Sequence, residues 1–149
     1  MSGSAIARGL LLASTALFAE VPAARVVIGV VPQKTAVPCI GITEVAGTDR
    51  QNVAGYRLRQ FDDAGWWTER PQTKVTELVQ LTVLGATYPE CKRVMKAARR
   101  ACRDFVGDVA GFTAVTCRLD GKGPDFQTEA GICGQTQDLR ITYDESDLT

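Results

Sequence analysis

The sequence predicts an α+β domain: a mainly antiparallel sheet covered on one face by two helices, with a long inserted loop or hairpin over residues 46–73. Three observations predict it. The run Lys74–Gly85 reads as a strand, and Tyr88–Val106 reads as an amphipathic helix directly after it. Further β-branched runs follow one another mostly without an intervening helix, which favours antiparallel neighbours. The chain has 149 residues, the length of one domain. A chain of that size buries roughly 68–70% of its unfolded surface and holds a core without covalent staples.

The elements can be justified in order. Ile6, Leu10, Ala13 and Leu17 share one face at helical spacing, with Ser4 as the expected N-cap. The same apolar stretch resembles a signal-peptide h-region, but it is too short to span a bilayer. Pro22 ends it. Arg25–Val31 is β-branched and reads as a strand, Pro32–Ala36 as a turn, and Val37–Val45 as a second strand. Pro38 must lie at the start or the edge of that strand, because it cannot donate to a ladder. In Val75–Leu84 one face (Val75, Val79, Leu81, Val83) is almost wholly apolar, whereas Leu78 and Leu84 interrupt the polar one. That pattern suits a central strand with helices on one side. Cys91, Met95, Ala98, Cys102 and Phe105 make the apolar helical stripe, with Gly107 as the stop. Phe112–Leu119 is a further strand, Asp120–Gly123 a turn, and Ile132–Tyr143 carries the last strand.

The insertion holds both tryptophans, Trp66 and Trp67, together with Tyr56, Phe61, Arg57 and Arg59. A loop of this length in a compact domain is usually functional or disordered. Aromatics beside arginine in a polar, glycine-containing setting have the composition of a protein interface, and these six residues are the candidate partner-binding set. The competing account folds a tryptophan back as a lid on the core. Tyr56–Phe61 has the character of a strand, which would make the insertion an extended hairpin.

Seventeen basic and seventeen acidic residues give a net charge of zero, which argues against general nucleic-acid binding as the main task. The charges are segregated. Glu90–Asp104 holds six basic residues and two acids, and the chain from Asp120 onward holds seven acids and two basic residues. Lys92, Lys96, Arg99 and Arg103 line one helical face, and Asp144, Glu145 and Asp147 are acids suited to meet them on a neighbouring copy. The alternatives are a helix that binds DNA directly, or plain solvated surfaces.

Catalytic signals are missing from the sequence. There is no histidine, no Gly-x-Gly-x-x-Gly after a strand and no phosphate-binding loop motif. Five cysteines, at 39, 91, 102, 117 and 133, include no Cys-x-x-Cys pair. They read as small buried hydrophobes rather than a zinc site or a disulfide framework. The expectation is a protein that is not an enzyme, takes no cofactor or metal and works by contact.

The succession of elements resembles the tail terminator (tail-completion) proteins of long-tailed bacteriophages and gene transfer agents. The resemblance covers nearly the whole chain. It is carried by the helix Ala5-Ile-Ala-Arg-Gly-Leu-Leu-Leu-Ala13, the apolar-Pro-apolar strand entry Val37-Pro-Cys-Ile-Gly-Ile-Thr43, the strand-to-helix stretch Val79–Val94, and the end Asp125–Gly131 with Asp138–Tyr143. The paired tryptophans and the five cysteines depart from the family pattern. The resemblance implies a ring of self-associated subunits, a hexamer. Such a ring caps the completed tail tube, stops its polymerisation and offers the surface for head docking. Its implied partners are the major tail tube protein and a neck or head-completion protein, with DNA passing transiently through the lumen. The implied location is the virion tail or neck, assembled in the bacterial host cytoplasm, without a membrane role. A head-closure or neck connector protein of the same virion, or a secreted binding module, are the rival readings.

Overall fold

The computed structural model describes residues 2–32, 34–51, 57–61, 67–71 and 73–145. Helix α1 (Ser2–Leu12) breaks at Ala13, and α2 (Thr15–Glu20) follows. Ser14 is the N-cap of α2; its hydroxyl accepts from the Leu17 amide at 3.3 Å. Ser4 is not the cap that the sequence suggested. It lies buried inside α1 and its hydroxyl donates to Glu44 Oε1 at 3.1 Å. Ile6, Leu10 and Leu17 are buried as their spacing requires, whereas Ala13 is exposed because the break between the helices falls on it. One 3-10 turn, Ala23–Arg25, leads into the sheet.

The main sheet has seven strands: β1 (Val26–Ile28), β2 (Cys39–Gln51), β5 (Thr73–Gly85), β6 (Phe105–Val109), β7 (Phe112–Lys122), β8 (Phe126–Gln127) and β9 (Cys133–Glu145). Their order is β1-β2-β5-β9-β7-β6, with β8 paired to β9. All pairs are antiparallel except β1 with β2, which is parallel. Strand β5 is interior, as its two-sided apolar character implied. It pairs with β2 from Leu84 to Thr73 and with β9 from Gly85 to Thr73.

Alternation decides what is buried. Val75, Val79, Leu81 and Val83 of β5 join Ile40 and Ile42 of β2, Val115 and Cys117 of β7 and Leu139, Ile141 and Tyr143 of β9. The same cluster contains Ile6, Leu10 and Leu11 of α1, Leu17 of α2, and Cys91, Val94, Met95, Ala98 and Cys102 of helix α3 (Tyr88–Cys102). Each fully buried aliphatic side chain of this kind contributes about 1.5–3 kcal/mol. At the other β5 parity the side chains are half-buried and pair across strands, Thr76 with Thr142 at 3.2 Å and Gln80 with Asp138 at 3.2 Å. Four of the five cysteines sit in the core as packed residues, and Cys133 is half-buried.

Helix α3 is held at its start by Thr87, whose hydroxyl accepts from the Glu90 amide at 3.3 Å, while Glu90 Oε2 accepts from the Ala86 amide at 2.7 Å. This reciprocal arrangement satisfies donors that the first turn leaves open. Gly85 permits the close approach: a Cβ there would lie 2.9 Å from the Cys91 amide nitrogen.

The helix does not continue to Phe105 and Gly107. It ends at Cys102, Asp104 takes a positive φ of 49°, and the chain leaves as edge strand β6, in which Gly107 has φ 151°. The expected turn at Asp120–Gly123 is also displaced, since β7 runs to Lys122. Within the insertion, β3 (Arg57–Phe61) and β4 (Trp67–Pro71) pair antiparallel as a separate two-stranded sheet, while the β2–β5 ladder of the main sheet itself reaches Gln51 and Thr73.

Candidate functional site

The predicted site residues fall in three regions: the insertion, helix α3 and the end of β9. The first is the insertion. Arg57, Arg59 and Phe61 lie on β3 and Trp67 on β4, with Phe61 opposite Trp67 in the ladder. Tyr56 and Trp66 lie outside the described residues.

The second surface is helix α3, whose basic face divides in two. At the N-terminal end the cations are already engaged within the chain. Lys92 Nζ is 2.6 Å from Asp125 Oδ1 and 5.0 Å from the centre of the Tyr88 ring, and the Tyr88 hydroxyl donates to Asp125 Oδ2 at 3.1 Å. The hydrogen bond to Asp125 raises the Lys92 amine above its ordinary range and holds the Asp125 carboxyl below its own. Arg93 Nε is 3.2 Å from Glu20 Oε1 on α2. These surface pairs are each worth little, but they occupy the charges.

Toward the C-terminal end the face opens on a cleft of about 630 Å³ lined by Lys96, Arg99, Arg100, Arg103, Arg118 and Asp104, with Leu119. The cleft exists because β6 pairs with β7 only from Phe112 to Cys117, so the β7 edge from Arg118 onward has no strand beside it among the described residues. Arg103 pairs with Asp104 at 3.4 Å in an exposed contact. Lys96, Arg99, Arg100 and Arg118 make no ion pair among the described residues. Arg99 Nε is buried and has no hydrogen-bond partner there. Arg99 and Arg100 also stand in the last helical turn, where positive charge complements the helix dipole.

A smaller cavity of about 260 Å³ continues from Arg118 and Leu119 to Asp120 and Arg140. Arg118 and Arg140 face each other directly across the β7–β9 ladder, and Arg140 Nη2 is 3.5 Å from Asp120 Oδ1. Like charges in that position repel. The sequence analysis missed Arg118 and Arg140, which come from strands that only the topology returns to α3.

The acids expected to meet the basic face are not beside it in one chain. Asp144 lies on β9 opposite Lys74 and Thr113, near the start of β7 and before Arg118; Glu145 ends β9, and Asp147 is outside the described residues. Among the described residues no group of three or more Cys, Asp or Glu is placed to hold a metal ion, and no helix is long and apolar enough to cross a membrane.

No protein-family model matches the chain, and no curated protein matches it. Among solved structures it is similar to a chain of one described as "Virion of native gene transfer agent (GTA) particle", with a TM-score of 0.61 and 14% identity, over 95% of this chain and 94% of that one. At that identity the likeness is one of fold.

Proposed function

We propose that the protein is a structural virion component that assembles into a ring, caps the end of a phage-type tail tube, halts its polymerisation and offers a docking surface to the head. The observation that carries this is the shared fold with a chain of a gene transfer agent virion, nearly co-extensive with both chains. A likeness spanning both chains end to end relates whole subunits rather than one embedded motif. The charge segregation and the separate two-stranded sheet of the insertion support a protein that works through contacts. The ring is a hexamer in this reading, its axial faces turned to the tube protein and to a neck or head-completion protein, with DNA passing through the lumen.

The test is removal of the protein from particle-producing cells, followed by electron microscopy. Tubes of uncontrolled length without heads are expected. Tubes of normal length beside unattached, leaking heads would assign it instead to head closure. Native mass spectrometry of the purified chain gives the ring number directly.

A further inference from the structure

We infer that the cleft between α3 and β7 is a docking site for an acidic, extended segment of a second protein, received as an added strand on the uncovered edge of β7. This holds whatever role the subunit plays in the particle.

Lys96, Arg99, Arg100, Arg103 and Arg118 line the cleft, and Asp104 is the one acid among its lining residues. Lys96, Arg99, Arg100 and Arg118 make no ion pair among the described residues. The Arg99 Nε donor is buried with no acceptor, and a buried unmet donor is costly until something supplies one. One wall is the β7 edge over residues 118–122. On its other side the strand pairs with β9, but the β6 pairing stops at Cys117 and no strand covers this edge among the described residues. A free edge offers backbone N–H and C=O groups to an incoming extended peptide. Leu119, packed against the core, gives that peptide an apolar contact between the charges.

The dimensions suit a segment rather than a single ion. The cleft holds about 630 Å³, whereas one water takes about 30 Å³. Arg99 and Arg103 stand four residues apart on the helix, about 6 Å along its axis. Alternate side chains of a strand are about 6.6 Å apart. Carboxylates at alternate positions of the incoming strand can therefore each take a guanidinium, whose planar fork suits them. Arg118 also faces Arg140 across the β7–β9 ladder, and Asp120 pairs only with Arg140, so an anion beside Arg118 relieves the remaining repulsion.

The segment comes from another protein. In this chain Asp120, Asp125 and Glu20 are paired with Arg140, Lys92 and Arg93, and Asp138 accepts from Gln80. Asp144 and Glu145 lie in the β9 ladder against β5. DNA suits the surface less well. A duplex needs a continuous track of free cations, but Lys92 and Arg93, which would extend the stripe, are held within the chain. A duplex also makes no use of a free strand edge.

Peptide binding tests the site. The full chain is titrated at low salt with a short fluorescein-labelled peptide of alternating valine and aspartate. Two relatives of this probe carry asparagine in place of aspartate, or proline in place of valine. Fluorescence anisotropy is expected to show saturable binding of the aspartate peptide, at least about tenfold tighter than either relative, since one charge-assisted hydrogen bond is worth about that factor. Hydrogen exchange of amides in residues 118–122 is expected to slow in the complex. Lys96→Glu with Arg118→Glu, both exposed positions, is expected to weaken binding by about tenfold or more with an unchanged circular dichroism spectrum. Arg118→Gln serves the same purpose should the double variant fail to fold. Absence of saturable binding, an asparagine or proline peptide that binds as well, or folded variants of unchanged affinity would each overturn the proposal. So would a short DNA duplex that binds more tightly than the peptide and leaves exchange in residues 118–122 unaltered, which would make the cleft a nucleic-acid surface.

Discussion

Tyr143 donates a 2.8 Å hydrogen bond to Glu77 Oε1 on the neighbouring strand, and Glu77 Oε2 accepts from the Gly3 amide at 2.6 Å. One carboxylate thus ties β9 to the first turn of α1, where a negative group also complements the helix dipole. Tyr143→Phe keeps the ring that packs edge-on against Phe112 at 5.1 Å and removes only the hydroxyl. A hydrogen bond to a charged group contributes about 1.5–3 kcal/mol, and the expected loss is of that order. A lower urea midpoint with an unchanged slope confirms it; an unchanged midpoint means the hydroxyl is dispensable.

Gly85→Ala is expected to destabilise by about 1–3 kcal/mol, as overpacking does. The new Cβ meets the Cys91 amide nitrogen at 2.9 Å and its Cα at 3.1 Å, which are backbone atoms of α3 and cannot swing aside. Thermal unfolding measures the loss. A variant as stable as wild type would show that the helix start can shift at no cost.

The thiols predict a pH dependence. Burial pushes the Cys39 and Cys91 thiols up, and a hydrogen bond with Cys117, reinforced by burial, raises Cys102 well above its ordinary range. Each folded-state value lies above the unfolded one, so the folded form keeps protons that the unfolded form has lost. The stabilisation is complete below the ordinary thiol value, near 8.5, and falls as pH rises above it. Denaturant melts from neutral to alkaline pH should show this decline, with a shallower slope in Cys102→Ala. Under native conditions half-buried Cys133 should react first with a thiol reagent, and peptide mapping reads the order. Early labelling of Cys102 would contradict its burial.

Alanine at both Trp66 and Trp67 is expected to leave the fold intact and to weaken tube capping, by roughly 2 kcal/mol or more if either is a hot spot. Circular dichroism and tail length together decide. An unfolded double variant would place the tryptophans in the core.

The strand β5 and helix α3 were legible because each buries one periodic face, and Val79, Leu81, Cys91 and Ala98 report that periodicity directly. The end of α3 was not. Phe105 continues the helical spacing, yet the chain turns at Asp104 and spends Phe105 on an edge strand, where its half-burial looks the same in the sequence. The break at Ala13 had a local sign in Ser14, a good capping residue, that the apolar spacing on either side concealed. The cleft was half legible. Its helical cations follow a stripe, but Arg118 belongs to it only because β6 and β7 double back beneath α3, a tertiary fact that no local window contains.

The double pairing of β5 has a mechanical consequence. Tension drawn along this strand from Thr73, where it leaves toward the hairpin, loads the β2 and β9 ladders together and in shear. Bonds pulled side by side share the load, whereas an unzipping edge would yield one bond at a time. Slip by a single residue would also turn Val75, Val79, Leu81 and Val83 out of the core, so the strand resists sliding as well as rupture. A pull on the strand at Thr73 is thereby delivered to the main sheet with little give.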